Sequence, residues 1–186
     1  MTKTSGTLLE KMKDRRFRRT EEAIFKLFAE KDFDLTVNTI VNKIDISSST
    51  FYRHHHGVTC ILADYEHLII EYYIKDMSAK INKTGVKIVI YWALIFIMNN
   101  KELIKVVAKK DNYSIIYQMI MASKIMIGEV FINVPDKIFN IYALEVCGVI
   151  MEWQKCDYSE EKLREVGRNI MYLTETVKER LGPLTN

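Results

Sequence analysis

Apolar positions recur at spacings of three and four along most of the chain, the period of amphipathic helices. Ala23, Ile24, Leu27 and Phe28 mark the inner face of a first helix over about Asp14 to Lys31, with Glu21, Glu22, Lys26 and Glu30 mostly outside. Val37, Ile40, Val41 and Ile44 repeat the stripe in a short second helix that Thr36 can cap. Asp45 stands where the chain must turn, and Asp tolerates a left-handed backbone. Ser47 can cap a third helix. These pieces predict a compact unit with a core of Ile24, Leu27, Phe28, Phe33, Val37, Ile40, Val41, Ile44, Ile46 and Phe51, Phe33 and Leu35 bridging the first two helices. A long helix follows from Val58 to about Ile81, apolar over a wide stripe. Asn82-Lys83-Thr84-Gly85 breaks it. A buried helix over Val86 to Met98, a short one over Lys101 to Val107, a turn at Asp111-Asn112 and a helix over Tyr113 to Phe131 come next. Pro135 fits a first helical position, opening a helix to about Lys155. Ser159 can cap a last helix whose Leu163, Val166, Ile170, Leu173, Val177 and Leu181 keep the same spacing, and Gly182-Pro183 ends it. No alternating strand pattern interrupts this series, so the fold expected is all-α with about nine helices.

Composition narrows the picture. The chain has 186 residues, 48% of them apolar, with two prolines and seven glycines. That is enough to bury a core in one large or two small domains. The net charge of +3 does not itself imply nucleic acid, but its distribution is uneven. Lys3, Lys11, Lys13, Arg15, Arg16, Arg18 and Arg19 are opposed only by Glu10 and Asp14, which makes a solvated face or a phosphate-contacting arm. Cys60, Cys147 and Cys156 are odd in number and lack metal spacing, which suits a reducing cytoplasm better than a disulfide framework. The N-terminus is polar, so no signal peptide is expected. The most apolar run, Ile88 to Met98, is shorter than the roughly 20 residues a membrane span needs.

The third helix carries Ser48, Ser49, Thr50, Tyr52, Arg53 and His54, side chains that are small, polar or able to donate to phosphate. Such a rod suits the major groove of double-stranded DNA better than a core. The order Thr20…Ala23-Ile24…Leu27-Phe28…Phe33…Thr36-Val37…Ile40…Ile46-Ser47…Thr50-Phe51-Tyr52-Arg53-His54 resembles the N-terminal domain of TetR-family (tetracycline-repressor-like) transcription regulators. The likeness covers about the first third of the chain. It implies a helix-turn-helix DNA-binding domain over residues 1–56, and a helical ligand-binding and dimerisation domain over 57–186. By that likeness Thr36, Thr50, Tyr52 and His54 would bind phosphates, Ser48, Ser49 and Arg53 would face base edges or backbone, and Ser47 would belong to the same DNA-binding set. Lys43 and Arg15, Arg16, Arg18 and Arg19 would add backbone contacts. The chain departs from the family pattern at three places: Asp45 in the turn, His55 where the family usually has Phe, and Val58 where a phosphate-binding Lys is common.

Tyr65, Tyr72, Trp92, Phe96, Tyr117, Met121 and Met126 could line an apolar pocket with a few hydroxyls. Each taken singly reads as ordinary core, and the resemblance implies that some surround a cavity for an unidentified small-molecule effector. The two C-terminal helices, with Tyr142, Glu145, Gly148, Val149, Trp153, Val166, Gly167, Ile170, Leu173 and Val177, suit a homodimeric four-helix bundle. Tyr142…Gly148…Glu152-Trp153 is also similar to a subgroup of these regulators typified by dihydroxyacetone-kinase operon regulators. Three consecutive histidines, His54, His55 and His56, cannot all point one way on a helix. They read as exposed or DNA-facing imidazoles at a helix end, and no metal or cofactor is expected. The functional expectation is a ligand-responsive repressor that binds a palindromic operator as a dimer. The alternative is a dimeric interaction regulator with a degenerate reading head. A helical enzyme lacks a Gly-rich phosphate loop, a His-Glu metal motif and a recognisable nucleophile.

Overall fold

The computed structural model describes residues 15–30, 35–81, 86–108, 113–126, 131 and 134–181, and all regular structure among them is helical. The helices are α1 (Arg15–Glu30), α2 (Val37–Ile44), α3 (Ser48–His54), α4 (Val58–Ile81), α5 (Val86–Asn99), α6 (Lys101–Ala108), α7 (Ser114–Met126), α8 (Asp136–Lys155) and α9 (Glu160–Leu181). Phe33, the Asn82–Gly85 break, the Asp111-Asn112 turn, the Gly182-Pro183 stop and the arm before Arg15 lie outside the described residues, as does the side chain of Arg16.

Local chemistry accounts for the first turns. The Thr36 hydroxyl accepts the Thr39 backbone N–H at 3.1 Å, satisfying a donor that α2 cannot pair internally. Asp45 takes φ 55°, ψ 54°, and this left-handed residue stops α2. Two residues later Ser47 Oγ accepts the Thr50 N–H and starts α3. Pro135 differs from its expected place. Its ψ of 141° is extended, so it precedes α8 and the helix begins at Asp136.

Buried side chains form one continuous cluster from Ile24 in α1 to Val177 in α9. α1 packs on α2 and α6, and α2 packs on α3. α4 lies against α5, α6 and α7. α8 and α9 form a helical hairpin that leans on α7 and α5. Its turn contains two consecutive left-handed residues, Asp157 and Tyr158. Trp153 fixes the turn by donating Nε1–H to the Ser159 carbonyl at 2.9 Å and by edge-on contact with Tyr158. The Asp157 carboxylate accepts from Lys101 and Lys105 of α6, tying this turn to the middle of the fold. Those two hydrogen bonds hold the Asp157 carboxyl down to about 2. Among the described residues no helix is long and apolar enough to cross a membrane.

Candidate nucleic-acid interface

At about 100° per residue, Ser48, Ser49, Tyr52 and Arg53 span an arc of roughly 140° on α3. All four are exposed, and Tyr52 stands 56% accessible despite its ring. Phe51 points the other way and is fully buried, so it anchors the helix. Within the arc's border, Thr50 is half-buried and its hydroxyl bonds Ser47 Oγ at 2.9 Å and accepts from Arg53 at 3.2 Å. Thr36, Lys43 and Ser47 are exposed on or beside α2 and α3. On α1, Arg15 and Arg19 are exposed, while Arg18 lies 3.7 Å from Glu22 one turn on.

His54 is a correction. It sits roughly opposite the centre of the exposed arc, so its imidazole turns inward rather than toward a ligand. Its Nδ1 lies 2.5 Å from Glu21 Oε1, and its ring stacks on Phe17 with centroids 4.0 Å apart. Glu21, expected outside, is 2% exposed. The reason is angular: Glu21 precedes Ile24 by three and Phe28 by seven, so it lies on the buried stripe whatever its charge. His55 is buried as well. Its Nε2 lies 3.2 Å from Glu21 Oε2 and its Nδ1 lies 2.7 Å from Asp64 Oδ2 on α4. The Tyr65 hydroxyl donates to the Glu21 carbonyl at 3.4 Å. Burial alone would raise the Glu21 carboxyl, but hydrogen bonds from His55 and His54 outweigh it, and the net shift is downward. Burial alone would lower His55, but its bonds to Glu21 and Asp64 prevail and raise it. The signal for this cluster was present in the sequence: a His at a position where the resemblance places an apolar ring, with carboxylates on the flanking helices.

The body holds an apolar cavity of about 60 Å³. Tyr73 of α4, Leu94 and Ile97 of α5, Ile116 of α7, and Tyr142 and Ile170 of the hairpin are among its lining. None of Tyr65, Tyr72, Trp92, Phe96, Tyr117, Met121 and Met126 lines it, which corrects the expected pocket. On α5, Trp92 lies roughly opposite Leu94, while Phe96 stands at nearly the same angle as the lining Val89. Phe96 packs edge-on against Tyr73, Lys80 caps the Trp92 ring at 4.4 Å, and Tyr117 donates to Asn140. Tyr73 and Ser123 are among the polar residues of the lining, and their hydroxyl oxygens lie 2.6 Å apart. Burial pushes the Tyr73 phenol up to about 12, so it is a neutral O–H.

The hairpin residues divide. Tyr142, Trp153, Val166, Ile170 and Val177 are buried inside this chain, which takes them out of an intersubunit surface. Gly167 faces α5, where an added Cβ would meet Leu94 at 3.7 Å. Leu173 is half-buried against the same core. Glu145 is exposed, Val149 is half-buried, and, among the described residues, an added Cβ at Gly148 would meet nothing within 4 Å beyond its own stretch of helix. Ile141, part of the apolar series of this helix, and Leu144 are 54% and 55% exposed beside them, and Tyr172 of α9 is 70% exposed. Among the described residues no group of His, Cys, Asp or Glu is arranged to hold a metal ion.

No family model and no curated protein matches this chain.

Proposed function

We propose that the chain is a DNA-binding transcription regulator, acting as a homodimeric, ligand-responsive repressor of the TetR type, with a helix-turn-helix head over residues 1–56 and a helical body over 57–186. The observation that carries this reading is the exposed arc of α3. Serines, a tyrosine and an arginine stand outward on a short helix that Phe51 anchors and Ser47 caps. Hydroxyls make adaptable contacts to phosphate and base edges, so DNA shape would carry part of the specificity. Arg15, Arg19, Lys43 and Arg53 supply the electrostatic part, and His54 is left out of it.

Dimerisation is supported by Ile141, Leu144 and Gly148, an outward row on α8 that a second copy would cover. Two heads would then meet successive major grooves roughly 34–36 Å apart. The cavity is small beside the about 300–1,000 Å³ of an ordinary ligand site, so an effector would have to favour a more open body. Tyr73 lines it from α4, the helix that follows α3 directly, and a ligand that widens the cavity acts on the spacing of the heads through that helix. It represses binding only by preferring the DNA-incompetent state.

Selection of bound duplexes from a random pool tests the proposal. The expected result is a two-fold symmetric site whose enrichment disappears in Tyr52→Ala and Arg53→Ala. Equal, weak binding of all sequences by wild type and variants overturns it. One observation favours the second reading, a protein-binding dimer with a degenerate head. Asp45 sets a carboxylate on the exposed turn, and His54 is turned inward. Capture of a defined regulator with no enriched DNA is its expected result.

A further inference from the structure

We propose that Glu21, His55 and Asp64 form an ionic latch that fixes α3 against α4, making His55 the positioning residue for the reading face; this rests on the DNA-binding reading above. His55 is the residue at which α3 ends, and its backbone N–H still donates to the Phe51 carbonyl. Its ring therefore moves with α3. One ring nitrogen meets a carboxylate from α1 and the other a carboxylate from α4, at 3.2 and 2.7 Å. An ionised carboxylate only accepts, so the arrangement is complete only when both ring nitrogens carry protons. The ring is then an imidazolium held between two anions, and α1, α3 and α4 are joined at one point.

The groups facing His55 come from three helices. α1 supplies Glu21. Its own helix supplies the ring of Phe51 and the neighbouring His54, which bonds the other Glu21 oxygen. α4 supplies Asp64 and the Tyr65 ring, whose centroid lies 5.7 Å away. Each oxygen of the Glu21 carboxylate thus meets one of the two histidines. An apolar ring could fill the same space, and replacing buried ion pairs by apolar groups is often neutral or stabilising. What the charged trio adds is direction and titration. Because His55 is raised above its ordinary 6.5, its contribution is complete below that value and lost as pH rises through its own higher one. Because Glu21 is held below its ordinary 4.5, its contribution is present above that value and lost as pH falls through its own lower one. The latch is fully closed between 4.5 and 6.5 and loosens as pH rises through the raised value of His55.

Three measurements on the full chain test this. Ring-nitrogen NMR shifts of His55 are expected to show an imidazolium at about pH 7, titrating lower in Asp64→Asn; Asp64 is 42% exposed at its side chain, so that variant keeps the fold. Hydrogen exchange of the Phe51 and His55 amides is expected to quicken in Asp64→Asn at the same pH. Affinity for the selected duplex is expected to fall on the order of fivefold between about pH 6 and about pH 8.5, the size of a modest coupling, with the step absent in His55→Phe. A neutral His55 ring at pH about 6 or unchanged α3 exchange in Asp64→Asn overturns the latch, as does an equal pH step in His55→Phe. If no duplex is selected, the DNA reading fails, and the ring shifts and exchange rates still decide the latch.

Discussion

Asp45 and Glu21 illustrate how far a single residue's chemistry determines its place. Asp45 carries a left-handed backbone at the end of α2, where a β-branched side chain would clash with the following carbonyl. Asp45→Val is expected to destabilise the fold by about 1–2 kcal/mol, while Asp45→Gly is neutral or stabilising, both read from denaturant midpoints. Glu21 is the harder case. Charge favours the outside, but its angular position on α1 places it inside, and the two histidines resolve the conflict by bonding both carboxylate oxygens. Glu21→Ala leaves those rings without their shared acceptor, and a loss of about 3 kcal/mol is expected in chemical denaturation. The turn residue was legible from composition because backbone conformation is a local property. The buried carboxylate was legible only in part: its angle on α1 marks the inner face, but the histidines that bond it come from another helix.

At the scale of helices, spacing sufficed for existence and length but not for rotation. The ranges of α1 through α9 follow the apolar period closely, since burial of one face is what stabilises a short helix. Which face looks into the cavity depends on how neighbours cross. Aromatic and sulfur content therefore pointed to Trp92 and Phe96, while Leu94 and Ile97 line the space. On α3 the arc was legible because the apolar exception, Phe51, stands alone. Arg53 lies in that arc and donates to Thr50 on the same helix, a bond that leaves its guanidinium at the surface. Arg53→Ala is expected to lower the slope of log affinity against log salt by about one, with little change in thermal stability. An unchanged slope would remove Arg53 from any phosphate contact.

At the scale of the whole molecule, the proposed dimer rests on the outward row of α8. Ile141 and Leu144 are too exposed to contribute to this chain's own core, and Gly148 leaves room for a close approach. Leu144→Glu is expected to weaken self-association at least about tenfold, seen as a shift to monomer in sedimentation, with the helical content unchanged. A monomeric wild type would separate the head from any paired site. The homodimer residues chosen from periodicity were mostly those that hold the hairpin together, because one stripe serves the chain's own core and the opposite face is free for a partner.

The Asp157 clamp bears on how these levels communicate. α6 grips the hairpin turn through Lys101 and Lys105 and also rests on α1. The eight residues of α6 therefore join the hairpin turn to the N-terminal helix through one short element, which also packs on α4. Loosening the clamp at Asp157 would therefore be felt at α1 and α4 as well as at the hairpin it closes.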